Sequence, residues 1–208
     1  MTTPLVKICG ITRPTDAEVA ARLGADFVGL VFHRPSPRFV DRALAQEVVL
    51  ATRSADSLCR VVGVFVDSEV EEVNDVVGGL GLDLVQLHGR EENVEIARIR
   101  VPAIKAVRVG DAVPDASRWP AAEWILFDTL VRDSVGGTGR RFDWNLLDRI
   151  ESRSRFFLSG GLTEANVAEA IRLVLPDAVD VSSGVESSPG IKDRTRLERF
   201  FEAVRAGA

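Results

Sequence analysis

The sequence has little of several residue types on which other protein classes depend: two cysteines, two histidines and no tyrosine in 208 residues. Two cysteines, Cys9 and Cys59, are too few for a disulfide framework, and each is most simply a small buried hydrophobe in or beside an apolar segment. No apolar run approaches the ~18 residues of a membrane-spanning helix. The first residues lack the apolar core of a secretory signal, so a cytoplasmic protein is predicted.

The net charge and the spacing of ionisable residues argue against nucleic-acid binding and metal binding. The net charge is −5 and there is no basic cluster, which argues against a nucleic-acid partner. Overall charge does not exclude a small anionic ligand, because local charge in a pocket decides that binding. Histidines, cysteines and carboxylates do not stand at metal-ligand spacing, so no metal is expected.

Hydrophobic residues make up 46% of the sequence and recur in short runs rich in Val, Ile, Leu and Phe. The runs cover residues 5–9, 26–32, 61–66, 82–87, 103–107, 124–127, 155–158 and 178–181. Most are continuous rather than alternating, which is typical of strands buried on both faces of a parallel sheet. Helical spacing separates most of them, at residues 15–23, 41–52, 69–77, 91–99, 143–150, 163–174 and 194–204. The candidate N-caps or first-turn acids are Asp16, Asp41, Ser68 and Thr163.

The repeated β-α order, with no linker and no change in composition, predicts one α/β domain over residues 1–208. Eight parallel strands close a barrel, so the expected fold is a single (β/α)8 TIM barrel. The chain is shorter than the ~250 residues typical of such barrels, which requires short loops. Residues 110–120 contain two prolines and little periodicity, so no full fifth helix is predicted there. The alternative, an open doubly wound sheet, needs a glycine fingerprint that Gly10-Ile11-Thr12 does not provide.

Active sites of barrels lie at the C-terminal ends of the strands, and two of these ends carry glycine and serine. Ser159-Gly160-Gly161 follows the seventh predicted strand, and Ser182-Ser183-Gly184 follows the eighth. Loops at these positions commonly bind phosphate through backbone N–H groups and the N-terminus of a short helix, for which residues 183–188 are a candidate. Gly136-Gly137-Thr138-Gly139 is either another phosphate loop or a loop that closes over the substrate.

Lys7 and Cys9 share one face of the first predicted strand because side chains alternate along a strand. A lysine does not pack on the apolar, helix-facing side, so both residues are expected to point into the barrel. A cation beside the thiol would lower its pKa from ~8.5 and raise the thiolate fraction. The alternative for Lys7 is a paired structural residue. Lys105 is a second lysine within an apolar strand.

Asp128 ends a very apolar run, residues 124–127, and burial favours the neutral carboxyl that a general acid needs. The first and sixth strands of an eight-stranded ring face each other across its mouth, so Cys9 and Asp128 form a candidate acid–base pair. A cap of the following segment is the alternative for Asp128. Arg38 lies in a proline-stiffened loop and suits bidentate capture of a carboxylate, unless it is an ordinary surface arginine. His88 is most simply a hydrogen-bonded strand-end residue.

Together these strand ends resemble a known family. The motifs are Lys7-Ile8-Cys9-Gly10-Ile11-Thr12, Gln86-Leu87-His88-Gly89, Gly136-Gly137-Thr138-Gly139 with Phe142-Asp143-Trp144, Leu158-Ser159-Gly160-Gly161-Leu162, and Asp180-Val181-Ser182-Ser183-Gly184-Val185-Glu186 with Pro189-Gly190 and Lys192-Asp193. In their order and spacing, from residue 5 to residue 193, they are similar to phosphoribosylanthranilate isomerase. Phe39 departs from the family, in which an aromatic hydroxyl is common at that position, and this affects one hydrogen bond rather than the chemistry.

The resemblance implies a barrel with a degenerate fifth helix that performs an Amadori rearrangement without cofactor or metal. N-(5-phosphoribosyl)anthranilate becomes 1-(2-carboxyphenylamino)-1-deoxyribulose 5-phosphate in tryptophan biosynthesis. It further implies Asp128 as the general acid on the ribose ring oxygen, Cys9 as the general base at C2, and Arg38 as the ligand of the anthranilate carboxylate. The phosphate is expected at Gly160, Gly161, Ser183 and Gly184, and Lys7 is counted with the substrate-binding residues. A monomer or a homodimer is expected.

Three alternatives stay open. The histidine-pathway isomerase performs the same rearrangement with aspartates on strands 1 and 5, where this sequence has Cys9 and no aspartate before Asp111. The next barrel of the tryptophan pathway is a lyase-type synthase that uses lysine and glutamate; Lys7 and Lys105 fit it, but the loop motifs differ. A catalytically silent phosphate-binding subunit is the third, and intact Cys9 and Asp128 argue against it.

Overall fold

The computed structural model describes residues 3–110, 115–129, 144–149 and 155–208. Eight parallel strands close into a barrel in the order of the chain, which confirms the predicted fold class. They are Leu5–Cys9 (β1), Phe27–Val31 (β2), Arg60–Phe65 (β3), Leu84–Leu87 (β4), Ala103–Val109 (β5), Trp124–Thr129 (β6), Arg155–Leu158 (β7) and Ala178–Val181 (β8). The predicted bounds of β1, β7 and β8 are correct, and the other strands differ by one or two residues at an end.

Helices surround the barrel. In the described segments they are Pro14–Leu23 (α1), Arg42–Ala55 (α2), Val70–Leu80 (α3), Asn93–Ile96 (α4), Val167–Val174 (α5) and Arg194–Gly207 (α6). Short 3₁₀ turns cover Ala116–Arg118, Trp144–Arg149 and Ser183–Val185, and a small hairpin of Glu186–Ser188 (β9) and Ile191–Lys192 (β10) follows β8. Between β5 and β6 the described residues hold only a 3₁₀ turn, as expected for a degenerate fifth helix. Each helix in these segments is too short or too polar to span a bilayer.

Two predicted helix starts are correct. Asp41 is the N-cap of α2, and its carboxylate accepts a hydrogen bond from the N–H of Leu44 at 2.9 Å. Asp16 is an acid in the first turn of α1, where it accepts two hydrogen bonds from the Arg13 guanidinium. The same carboxylate accepts the N–H of Lys192 at 3.0 Å, so the start of α1 is joined to the β9–β10 hairpin.

Other helix predictions are wrong at their ends. Ser68 lies outside α3, whose N-cap position is Glu69, and α5 starts after Asn166, whose side chain accepts from the N–H of Thr163 in a turn. The helix predicted over residues 91–99 is a single turn, Asn93–Ile96, and Glu91 lies before its N-cap in a buried ion pair with Lys105. The segment predicted over residues 143–150 is a 3₁₀ helix from 144 to 149. Residues 143 and 150, like Asp111 and Gly136-Gly137-Thr138-Gly139, lie outside the described residues.

Side chains that point into the barrel form layers. The lower layer is an apolar floor in which Phe27, Trp124 and Phe157 meet, with ring centroids 4.8 to 6.3 Å apart. The rest of this floor consists of Val62, Leu84, Ile104, Ala106, Leu126 and Ala178. Above it the inward positions become polar, so the C-terminal mouth of the barrel is where ionisable groups gather.

Candidate active site

A cavity of about 70 Å³ opens at the C-terminal mouth of the barrel. Its ionisable lining groups are Cys9, His33, Arg38, His88, Asp128 and Asp180. Cys9 ends β1 and Asp128 lies near the end of β6, so the predicted acid–base pair meets at one cavity. A larger depression of about 500 Å³ lies around Leu5, Trp124 and Leu175 at the opposite end. Barrel enzymes carry their chemistry at the C-terminal face, which favours the mouth.

The first group beneath the mouth is a buried ion pair. Lys7 on β1 is fully buried, and its Nζ lies 2.8 Å from Oδ1 of Asp180 on β8. The two residues are register partners in the parallel pairing of β1 and β8, so strand geometry brings them together. Ser159, after β7, donates its hydroxyl to Oδ2 of Asp180 at 3.1 Å. Lys7 is thus a paired residue below the cavity, whereas substrate contact was the prediction.

Cys9 points into the barrel beside Lys7, as its position on β1 predicts. Gly29 on β2 makes room, since a Cβ there would lie 2.9 Å from the Cys9 sulfur and 3.3 Å from Lys7 Nζ. The expected fall in the thiol pKa is wrong: burial raises the pKa of Cys9, Asp180 raises it further, and Lys7 opposes both without overcoming them. The substrate-free site therefore holds Cys9 mainly as a thiol.

Asp128 has a close imidazole neighbour. Nε2 of His88, just after β4, lies 3.3 Å from Oδ2 of Asp128, and both side chains are more than nine-tenths buried. Nδ1 of His88 lies 2.9 Å from the amide nitrogen of Gln86 on β4. The expectation of a hydrogen-bonded His88 is confirmed by its contact with Gln86, and its Nε2 lies against the predicted general acid.

Arg38 lines the same cavity and is held from behind. Its Nε and Nη2 donate to the two carboxylate oxygens of Glu186 at 2.9 and 2.6 Å. The hydrogen bond to Glu186 raises the pKa of Arg38. Nη1 donates to no protein acceptor in the described part of the chain, so the outer edge of the guanidinium is open. At Gly10, which has a φ of 72°, any Cβ would collide with the Arg38 side chain.

Lys192 joins this group from the β9–β10 hairpin. Its Nζ donates to Glu186 at 2.7 Å and to the carbonyl oxygen of Cys9 at 2.6 Å. Burial lowers the pKa of Lys192. Burial alone would raise the pKa of Glu186, but Arg38 and Lys192 together hold it below its usual range. Two cations and one carboxylate leave a net positive charge beside the cavity, which suits an anionic substrate group.

The two predicted phosphate turns lie side by side. Gly160 and Gly161 have φ of 90° and 70°, left-handed values that favour glycine. In the described chain their N–H groups donate to no protein acceptor, as an anion site requires. A Cβ on Gly184 would collide with the Leu162 carbonyl, so the turns pack closely. The helix predicted over 183–188 is only the 3₁₀ turn Ser183–Val185, because β9 begins at Glu186.

A family model described as N-(5'phosphoribosyl)anthranilate (PRA) isomerase matches residues 6–203. The chain belongs to this isomerase family. The relative from Pseudomonas aeruginosa (strain LESB58) is named N-(5'-phosphoribosyl)anthranilate isomerase and is 45% identical over 204 residues, covering 97% of this chain and 95% of the relative. The relative of the same name from Thiobacillus denitrificans is 44% identical, with 97% and 98% covered.

Solved structures of PRA isomerases share the fold. The enzyme from Thermotoga maritima superposes with a TM-score of 0.85 at 37% identity, covering 97% of this chain and 98% of that one. A second PRA isomerase structure, with a TM-score of 0.82 at 37% identity and the same coverage, is a complex with reduced 1-(o-carboxyphenylamino)-1-deoxyribulose 5-phosphate. A third, described as monomers generated from the dimeric Thermotoga maritima enzyme, has a TM-score of 0.84 at 37% identity, with 97% and 98% covered. As a PRA isomerase family member, this chain is an aldose–ketose isomerase.

Several groups of this PRA isomerase site were missed from the sequence. Asp180 could have been recognised as a candidate site residue, because it is an acid in the apolar strand Ala178–Val181. Its pairing with Lys7 depends on strand register, which periodicity alone does not provide. Glu186 and Lys192 belong to the motifs that resemble the family, but their contacts were not predicted, since Glu186 pairs with Arg38 about 150 positions away in the chain and Lys192 pairs with Glu186.

Proposed function

We propose that the mouth cavity binds N-(5-phosphoribosyl)anthranilate and isomerises it with Asp128 as general acid and Cys9 as general base. The family carries out this Amadori rearrangement to 1-(2-carboxyphenylamino)-1-deoxyribulose 5-phosphate in tryptophan biosynthesis. The observation that carries the proposal is that Cys9 and Asp128, from strands on opposite sides of the barrel, line one cavity. An acid and a base on two sides of a sugar are what ring opening followed by proton abstraction requires.

The proton transfers assign one task to each residue. Asp128 donates its proton to the ribose ring oxygen, and the C1–O bond breaks to leave a protonated Schiff base at C1. Cys9 as thiolate removes the proton from C2, and the electron pair forms the C1–C2 double bond of an enolamine. The enolamine then gains a proton at C1 and loses its hydroxyl proton, which yields the ketone with all atoms conserved.

The raised pKa of Cys9 makes the thiolate the scarce form, so the mechanism needs a group that stabilises it. Lys7 supports it because its ammonium is the cation that opposes the rise of the Cys9 pKa. Asp180 holds that ammonium in place and keeps the pKa of Lys7 above its ordinary value despite complete burial. Lys7 therefore acts on Cys9 rather than on the substrate.

The two anionic ends of the substrate have separate binding groups. Gly160, Gly161, Ser183 and Gly184 offer backbone N–H groups for the phosphate, supported by the left-handed glycine turns after β7. Arg38 binds the anthranilate carboxylate with the guanidinium edge that Glu186 leaves open. The net positive charge of Arg38, Glu186 and Lys192 falls to zero when the carboxylate binds.

The proposal extends to the protein as a whole. We infer one catalytic domain over residues 1–208, because α6 packs back against α1 and closes the ring of helices. A cytoplasmic location is supported by two unpaired, buried cysteines, as expected in a reducing compartment. The working unit is a monomer or a homodimer.

Turnover of freshly generated phosphoribosylanthranilate, followed by its fluorescence decay, tests the base. Cys9→Ser is expected to slow turnover by about 10²-fold or more. The matched control is Cys59→Ser, because Cys59 is also buried but lies outside the cavity; it should keep wild-type turnover. Normal decay in Cys9→Ser would remove Cys9 from the mechanism. If wild-type protein does not exceed the uncatalysed rate, the function itself is wrong, and the histidine-pathway aminoaldose is the next substrate to assay.

A further inference from the structure

Three buried side chains form a connected row from β4 to β6. Gln86, His88 and Asp128 are 2%, 8% and 6% exposed. The row runs from the Gln86 amide nitrogen to His88 Nδ1 at 2.9 Å, and from His88 Nε2 to Asp128 Oδ2 at 3.3 Å. The second contact is longer and less aligned than a full hydrogen bond, as catalytic contacts often are without substrate.

The row is consistent with one imidazole tautomer. An amide N–H of Gln86 donates to Nδ1 of His88, which leaves the ring hydrogen on Nε2. That hydrogen then faces Oδ2 of the Asp128 carboxyl group, where a hydrogen bond can form. If the Gln86 amide were turned around, Nδ1 would carry the hydrogen and the lone pair of Nε2 would face the carboxylate oxygen. Either amide setting leaves one Gln86 polar atom without a partner among the described residues. Only the Nε2–H setting lets His88 donate to Oδ2 while the proton that Asp128 transfers stays on its other oxygen, so the acid role selects this tautomer.

We propose that His88, fixed as its Nε2–H tautomer by Gln86, is the positioning residue of the general acid Asp128. The inference deepens the proposed function and rests on it. The imidazole holds one oxygen of the Asp128 carboxyl and so fixes the orientation of the group towards the sugar ring. Gln86 acts one step further back, by choosing which nitrogen of His88 carries the hydrogen.

The chain suits a direct spectroscopic test because it contains only two histidines, His33 and His88. Long-range ¹H–¹⁵N spectra of ¹⁵N-histidine protein report the tautomer of each ring, and His33→Gln leaves the His88 signals alone. The expected result is a single Nε2–H tautomer for His88. In Gln86→Leu the same ring should become a mixture of tautomers, whereas Gln46→Leu, on α2, should not change it. An Nδ1–H tautomer or averaged signals in the parent protein would overturn the proposal.

Kinetics test whether the hydrogen bond acts through Asp128. His88→Leu removes the donor and should lower kcat by about 10²-fold, the scale of a misplaced catalytic group. KM should stay within about threefold because His88 does not bind the anionic ends of the substrate. His88→Gln, which keeps an amide donor near the position of Nε2, should recover most of kcat.

A double-mutant comparison separates this role from a merely structural one. In an Asp128→Asn background, His88→Leu should cause no further loss of kcat, because the group it positions is already gone. Full additive losses would overturn the proposal. If Asp128→Asn alone were fully active, the proposed function would fail while the tautomer result could still stand, so the two failures are distinguishable.

Discussion

The floor and the mouth of the barrel are built by the same strands but from opposite kinds of residue. Along β6 the inward positions are Trp124 and Leu126 in the floor and Asp128 at the mouth. Along β8 they are Ala178 in the floor and Asp180 above it. The floor is apolar, and burial of such side chains stabilises the fold by ~25 cal/mol per Å².

The mouth, in contrast to the apolar floor, buries charged side chains in ion pairs. It buries Lys7 with Asp180, and Glu186 with both Arg38 and Lys192. Buried ion pairs often contribute little net stability, since desolvation offsets their attraction. The difference shows that stability and chemistry are separated along the barrel axis by position on each strand. Changes in the floor should therefore alter folding, and changes at the mouth should alter catalysis.

The largest effect expected on stability comes from the floor. Trp124→Ala removes the ring that packs on Phe27 and Phe157, and should lower the free energy of unfolding by about 3–5 kcal/mol. The folded fraction should keep wild-type kcat, because Trp124 lies outside the cavity. Urea unfolding measures the first quantity and turnover the second. The control Leu58→Ala, at an 84% exposed residue, should change stability by less than about 0.5 kcal/mol. A large fall in kcat in folded Trp124→Ala would break the separation of floor and mouth.

A smaller effect is expected from the ion pair of Glu186 and Arg38 at the mouth. Glu186→Gln removes the carboxylate that holds Arg38, so the guanidinium loses its fixed orientation towards the substrate carboxylate. KM should rise roughly tenfold, equivalent to about 1.4 kcal/mol, with little change in kcat. Glu198→Gln is the matched control, because that carboxylate pairs with Arg194 on the exposed face of α6. An unchanged KM in steady-state kinetics would show that Arg38 does not need Glu186 to bind the substrate.

The smallest effect concerns the ionisation of Cys9. Because its pKa is raised in the folded protein, alkylation by iodoacetamide should be slow at neutral pH and should accelerate only above pH ~8.5. Because the pKa of Cys9 is higher in the native state than in the unfolded chain, the native state holds this proton more tightly. The free energy of unfolding therefore keeps its full value below pH ~8.5 and falls as the pH rises beyond it. Cys59→Ser leaves one thiol for the measurement and removes a group whose pKa is raised to about 12. Fast alkylation at pH 7 would contradict the raised pKa.

Sequence reasoning predicted the parts of the fold that depend on local patterns. Continuous apolar runs and their polar ends located the strands, and thereby Cys9 and Asp128, because alternation along a strand is a local rule. Helix ends were less accurate where a side chain has a distant partner. Glu91, before the single turn α4, pairs with Lys105, and Glu186, where β9 follows the 3₁₀ turn in place of the predicted helix, pairs with Arg38 and Lys192.

The same physics explains the error on the thiol pKa. Lys7 is recognisable in the sequence as a cation beside Cys9, but its pairing with Asp180 and the burial of Lys7 and Cys9 depend on the closed barrel. The Gln86–His88–Asp128 row depends likewise on β4 and β6 facing one cavity. Networks between distant strands need register and closure, which a single sequence does not supply.

Asp128 at the mouth is the general acid of the proposed mechanism. Its most direct test is the fluorescence decay of phosphoribosylanthranilate with Asp128→Asn, which is nearly the same size and keeps a polar group beside His88. We expect kcat to fall by about 10³-fold while the urea midpoint stays close to that of wild type. A decay rate within a few fold of wild type, in protein that is equally stable, would contradict it.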